Sequence, residues 1–114
     1  FLVGAGLSMA AQAKEVKCDI VVDDGQGGNY RGNCEFKPVT GRNDGSFTLT
    51  PSKGKKMLVP YLKIRSVTVL IDKNVKSKAA LFYNGDRSSI ATVYRSGACW
   101  GEDDNTNNVC AYAK

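Results

Sequence analysis

Four cysteines, Cys18, Cys34, Cys99 and Cys110, sit in short windows of apolar and strand-forming residues, and their placement constrains the fold more than any other feature of the chain. Around the first, Val16, Cys18, Ile20 and Val22 fall on one face of an extended strand, with Glu15, Lys17 and Asp19 on the other. Tyr30, Gly32, Cys34 and Phe36 repeat the pattern, opposed by Arg31, Asn33, Glu35 and Lys37. The run Asp23-Asp24-Gly25-Gln26-Gly27-Gly28-Asn29 between them is turn chemistry, because glycine and Asx residues tolerate the positive φ of tight loops. An antiparallel register that sets Cys18 opposite Cys34 also sets Val16 against Phe36, Ile20 against Gly32 and Val22 against Tyr30. It satisfies cross-link geometry and burial together, and so predicts a Cys18–Cys34 bridge.

The second pair is read in the same way. Ala98-Cys99-Trp100 and Val109-Cys110-Ala111 flank the polar run from Gly101 to Asn108, which has the composition of a loop. Local pairing and elimination then join Cys99 to Cys110, although sequence alone leaves crossed pairings open. The wide spacings and the absence of histidine speak against a zinc site, so no metal and no cofactor are expected.

Between the two hairpins lie further strand candidates: Ser46–Thr50, a long stretch from Tyr61 to Ile71, Ala79–Tyr83 and Ser88–Tyr94. Asn84-Gly85 is a hairpin dipeptide between the last two. In the long stretch, Leu62 and Ile64 set one apolar phase while Val67, Val69 and Ile71 set the opposite one, which calls for a bulge or bend near Arg65-Ser66. Val75, Ala79 and Phe82 alone have helical spacing, suited to one short helical turn. The fold class expected is therefore all-β: a small antiparallel barrel or sandwich of about six to eight strands with two hairpin disulfides.

Residues 1–13 carry no charge, run apolar through Leu2, Val3 and Leu7, and end in Ala11-Gln12-Ala13, a small-residue cleavage pattern. They read as the remnant of a signal peptide, with residues 14–114 forming a single β-domain. An even cysteine count in an exported chain fits a disulfide framework and a periplasmic or secreted location. No transmembrane segment is expected, since spanning takes about 20 apolar residues and the most apolar stretch, Leu58 to Ile71, is broken by Pro60, Lys63 and Arg65.

The strand Cys18-Asp19-Ile20-Val21-Val22-Asp23, the segment Gly32 to Phe36, Gly45-Ser46-Phe47, Tyr83-Asn84-Gly85, Ser96-Gly97-Ala98-Cys99-Trp100 and Val109-Cys110-Ala111-Tyr112 together resemble a group of small exported two-disulfide bacterial proteins of uncharacterised function. The similarity covers most of residues 14–114, with a longer acidic loop here between the last two cysteines. It implies export and a disulfide-tied β-domain, and it brings no catalytic residue with it.

Without histidine, nucleophile–His chemistry and the commonest general base are excluded, and oxidised cysteines offer no thiolate. The loop carboxylates Asp23, Asp24, Glu102, Asp103 and Asp104 would serve a glycosidase only as a pair set across a sugar. They read as solubility residues, so catalysis is not expected. The loop Glu102 to Asn108 lacks the spacing of a calcium loop. Trp100 and the five tyrosines read chiefly as core and rim residues of a small β-domain.

Charge is more informative. Lys53, Lys55, Lys56, Lys63, Arg65, Lys73, Lys76 and Lys78 face only Asp72 within Lys53–Lys78, a local +7 in a chain of net charge +5. As a binding segment it points to an anionic partner, whether an acidic protein, an anionic envelope glycan or a membrane surface, against the plainer reading of a solvated lysine-rich face. Nucleic acid is not expected because no binding motif for it is present. The function expected is a non-catalytic exported binding module of the cell envelope, an inhibitor or an immunity-type protein. The rival expectations are a glycan-directed hydrolase using Asp24 with Glu102 or Asp103, and a structural envelope protein that binds anionic polymer through the lysine-rich face.

Overall fold

The structure is a computed structural model that describes residues 14–21, 29–52, 65–103 and 107–112. These residues form eight antiparallel strands closed into a barrel in sequence order: β1 (Lys14–Val21), β2 (Asn29–Pro38), β3 (Phe47–Pro51), β4 (Val67–Ile71), β5 (Lys78–Tyr83), β6 (Ala91–Ser96), β7 (Cys99–Gly101) and β8 (Asn108–Tyr112). β8 returns to β1 and closes the wall, which removes the exposed edges that an open sheet would present. The expected all-β fold is thus a barrel rather than a sandwich, and both disulfides form as read, Cys18–Cys34 and Cys99–Cys110. Two cross-links of this kind fit an oxidising, extracellular-type environment.

Alternation decides which side chains fill the barrel. Val16, Cys18 and Ile20 on β1, Phe47 and Leu49 on β3, Val67, Val69 and Ile71 on β4, and Ala79 and Leu81 on β5 face inward and are buried. Tyr30, Cys34, Val93, Trp100 and Val109 complete the core from the remaining strands. A small eight-stranded barrel has an interior just wide enough for its side chains. Among the described residues no buried side-chain nitrogen or oxygen lacks a hydrogen-bond partner.

The β1–β2 register differs from the expected one by two residues. Cys18 opposes Gly32, Ile20 opposes Tyr30 and Val16 opposes Cys34, so the disulfide runs diagonally across the pair with its Cα atoms 5.8 Å apart. A shift of two returns every side chain to the same face, so the burial pattern cannot distinguish the two registers. Packing does. The Tyr30 ring lies over Gly32, where an added Cβ would come within 3.0 Å of the phenol oxygen, and its hydroxyl donates to the Asn33 carbonyl at 2.8 Å.

The Val75–Phe82 helical turn does not form. Asp72 Oδ1 accepts hydrogen bonds from the Asn74 and Val75 amides, a tight turn closes from Lys78 N–H to the Val75 carbonyl, and β5 begins at once. Extended pairing with β4 and β6 then buries Ala79 and Leu81, whereas Val75 stays exposed. The Asn84-Gly85 turn forms as expected, with φ of 56° and 74° and a closing bond from Asp86 N–H to the Tyr83 carbonyl. Its strand begins at Ala91 rather than Ser88, because residues 86–90 continue the loop. A bend at Arg65 precedes β4, while Leu62 and Ile64 lie outside the described residues, as do residues 1–13. Among the described residues no helix is long and apolar enough to cross a membrane.

Candidate functional site

The two ends of the barrel differ. At one end lie the start of β1, the β2–β3 loop, the β4–β5 turn and the two-residue β6–β7 turn Gly97-Ala98. Here the inward-facing rows end in a hollow of about 250 Å3. Its apolar surface comes from Phe36, Phe47, Ile71 and Trp100, with the two phenyl rings stacked 4.9 Å apart. Gly45, Gly97, Ala98 and Ala111 line it with little side chain, which keeps it open. Gly45 has a φ of 92°, and a Cβ there would stand 3.3 Å from Ile71 Cδ1. Glycine therefore serves both the turn and the opening.

The rim is charged. Lys14 Nζ stands 5.6 Å from the Phe36 ring centroid, a cation held over an aromatic face. Arg95 opposes Trp100 across the β6–β7 pair, on the same inward phase as buried Val93, and its Nε–H reaches the Gly97 carbonyl at 3.3 Å. Asp44 also borders the hollow, with its carboxylate engaged in a clasp. It accepts two bonds from the Arg42 guanidinium and one from the Ser46 amide, while Arg42 also donates to the Ile71 carbonyl at 2.6 Å and the buried Ser46 hydroxyl accepts from the Ile71 amide. The Ser46 hydroxyl and amide, then Arg42, hold the Asp44 carboxyl down to about 2, well below the usual carboxylate range. Likewise the Asn74 and Val75 amides lower Asp72.

The basic segment singled out from sequence does not lie together as one described surface. Lys53, Lys55, Lys56 and Lys63 fall outside the described residues. Arg65 is exposed at the start of β4, at the far end of the barrel, where its backbone amide donates to Asn84 Oδ1. Lys73 and Lys76 are exposed in the β4–β5 turn, and Lys78 is half-buried at the start of β5, all at the hollow's end. Strand β4 separates residues that are near neighbours in sequence.

Of the carboxylates considered for glycan hydrolysis, Asp23, Asp24 and Asp104 lie outside the described residues. Glu102 accepts a 2.6 Å bond from the Asn107 amide, and Asn107 in turn accepts from the Tyr83 hydroxyl at 2.7 Å. That chain fixes the far end of the β7–β8 hairpin. Asp103 is exposed beside Glu102, and the two line a shallow surface groove with Thr92 and Tyr94. Tyr30 is a core residue, Tyr94 and Tyr112 are exposed, and Tyr61 is outside the described residues. No group of three or more metal-ligating side chains occurs among the described residues.

Sequence reasoning passed over the hollow itself. Phe36 and Trp100 were visible as apolar positions, yet their convergence depends on closure of the barrel. The available signal was Arg95: a cation on the inward phase of an apolar strand must sit at an opening, because a buried charge without a partner is costly. No family model, no curated protein and no solved structure matches this chain.

Proposed function

We propose that this chain is a non-catalytic binding module acting in the periplasm or outside the cell, of the inhibitor or immunity type, that engages an acidic partner with the hollow end of its barrel. The observation that carries this reading is the pairing of a closed, disulfide-tied wall with a concave aromatic opening that has cations at its edge. Around that opening, the loops and inward-facing strand ends place Lys14, Arg42, Lys73, Lys76 and Arg95 against Asp44 and Asp72. Such a field steers an anionic partner and raises its association rate. A preorganised wall lowers the ordering cost of binding. Engagement of Glu102 in the Tyr83–Asn107 chain favours a structural role for that carboxylate over an acid–base one.

The test is capture from an envelope extract on immobilised protein, followed by association kinetics with the purified captured partner. Reversal of Lys73 and Lys76 to Glu should slow association about tenfold at low salt, and added salt should slow the parent protein in the same direction. Failure to retain any partner would sink the reading. Glycan hydrolysis by the parent protein that disappears in Glu102→Gln would replace it with the hydrolase.

A further inference from the structure

The hollow's size narrows what it can take. At about 250 Å3 it exceeds the roughly 150 Å3 of an engineered cavity that accepts benzene, and it falls below the about 300 Å3 at which pockets for whole small ligands begin. One ring or one branched aliphatic side chain fits such a space. Its surface agrees, since Phe36, Phe47, Ile71 and Trp100 offer apolar and aromatic contact. The rim adds a second requirement. Arg42 and Asp44 answer each other, and among the described residues Lys14 and Arg95 enter neither of the two ion pairs, Arg31–Asp19 and Arg42–Asp44. Two cations thus stand at the edge of an aromatic hollow, Arg95 in its lining and Lys14 over the Phe36 ring, and an occupant carrying carboxylates would complement them.

Resting on the binding-module reading, we propose that the hollow is an anchor site for an acidic peptide segment of the partner. One aromatic or large aliphatic side chain enters it, and carboxylates on either side of that residue meet Lys14 and Arg95. An anchor in a small desolvated pocket, ringed by polar contacts, is the usual arrangement of a binding hot spot. Charge pairs at the rim set orientation and on-rate more than affinity. Among the described residues the closed barrel leaves no free edge for strand addition, so recognition at the hollow rests on side chains.

Trp100 is the only tryptophan in the chain and lies 4 % exposed against the hollow, so its emission reports occupancy directly. The probe is a labelled hexapeptide with one central phenylalanine flanked by glutamates, compared with a version carrying alanine for phenylalanine and one carrying lysines for the glutamates. The expected result is saturable binding of the first peptide with a shift in Trp100 emission, and at least about tenfold weaker binding of the other two. Ala98→Phe, which fills the hollow, and Arg95→Glu should each weaken the first peptide about tenfold while keeping the parent melting temperature within a few degrees, since both positions are exposed. Arg87→Glu, at the far end, should leave binding unchanged. The anchor site is refuted if the first peptide does not bind at millimolar concentration, if it binds without moving Trp100 emission, if the lysine peptide binds equally, or if Ala98→Phe binds like the parent. A captured envelope partner indifferent to both Ala98→Phe and Arg95→Glu would leave the binding-module reading standing and remove this site alone.

Discussion

The first hairpin, β1–β2, and the last, β7–β8, are each tied by one disulfide, across sequence separations of 16 and 11 residues. Loop entropy makes the two nearly equal, at about 3 kcal/mol each. Their surroundings make them different. Cys18 and Cys34 face into the barrel, Cys34 at 0 % exposure among Val16, Ile20 and Tyr30, so this cystine is part of the apolar core. On the last hairpin the inward pair is Trp100 and Val109, which places Cys99 and Cys110 on the outer face of the wall. There Cys110 is covered at 2 % exposure, with the Asn108 amide 3.4 Å from its sulfur, and the Tyr112 hydroxyl lies 3.6 Å from Cys99. The same covalent device fills space in one hairpin and reinforces backbone pairing in the other, where β7 has only three residues.

The largest effect should come from the inner bond. Replacing Cys18 and Cys34 together by Ala removes the loop constraint and leaves a void in the core, with an expected loss of about 3–5 kcal/mol in urea unfolding. The corresponding Ser pair should lose about 1 kcal/mol more, because a hydroxyl at the Cys34 position is fully buried in the apolar core, whereas one at Cys18 has the Gly32 carbonyl, 3.5 Å from the present sulfur, to accept from it. Equal losses for the Ala and Ser pairs would break the comparison.

The outer bond comes next, with about 2–3 kcal/mol expected for Cys99→Ala with Cys110→Ala. Here the Ser pair should match the Ala pair within about 0.5 kcal/mol, since the Asn108 amide and the Tyr112 hydroxyl stand by as partners. Loss of this bond should also free β7 locally, read as faster amide exchange in β7 and β8 with β2 and β3 still protected. A uniform loss of protection across the barrel would mean that the outer bond holds the whole fold rather than its own hairpin.

This contrast explains what was legible in the sequence. Alternation around Cys18 and Cys34, and the Asn84-Gly85 dipeptide, are local signals, and they led to the right hairpins and the right cystines. The β1–β2 register was not legible, because a two-residue slide leaves every side chain on its face and only the Tyr30 ring over Gly32 separates the alternatives. Closure through β1 and β8 joins residues about ninety positions apart, beyond the range of any pattern along the strand. The hollow shared that fate, since Phe36, Phe47, Ile71 and Trp100 meet only after closure. The basic segment was legible as composition, while the placement of its described members was not, for β4 carries Arg65 and Lys73 to opposite ends.

A smaller effect tests how the last hairpin compensates for its short strand. Asn107 is buried, accepts from the Tyr83 hydroxyl and donates to Glu102, so it ties β8 to the end of β5 as well as to β7. Asn107→Ala should cost about 1–3 kcal/mol, and Tyr83→Phe, which removes one bond of the chain, about 1 kcal/mol. In a double-mutant cycle the two should be less than additive, because they share that bond. Strict additivity would show that the Tyr83–Asn107 contact contributes nothing of its own.

The smallest effect belongs to the exit of the first hairpin, where β2 passes into β3 through the Arg42–Asp44–Ser46 clasp, and pH reaches it selectively. The Asp44 carboxyl titrates near 2 in the fold, below an ordinary carboxyl near 3.8, because the Ser46 hydroxyl and amide and the Arg42 guanidinium all favour its charged form. A depressed folded value means that the contribution is fully present above about pH 4 and is lost as pH falls toward 2. Asp44 is exposed to solvent, so screening keeps the contribution small. Asp44→Asn should therefore lower the melting temperature slightly at pH 7, and should flatten the part of the stability curve between about pH 4 and pH 2. Amide exchange locates the event. In the parent protein the protection of the Ser46 amide, which donates to Asp44 at 3.0 Å, should fall across that interval before the amides paired between β7 and β8 change. If the β7–β8 amides lose protection first, acid acts on the last hairpin instead, and the clasp is not what braces the first hairpin's exit.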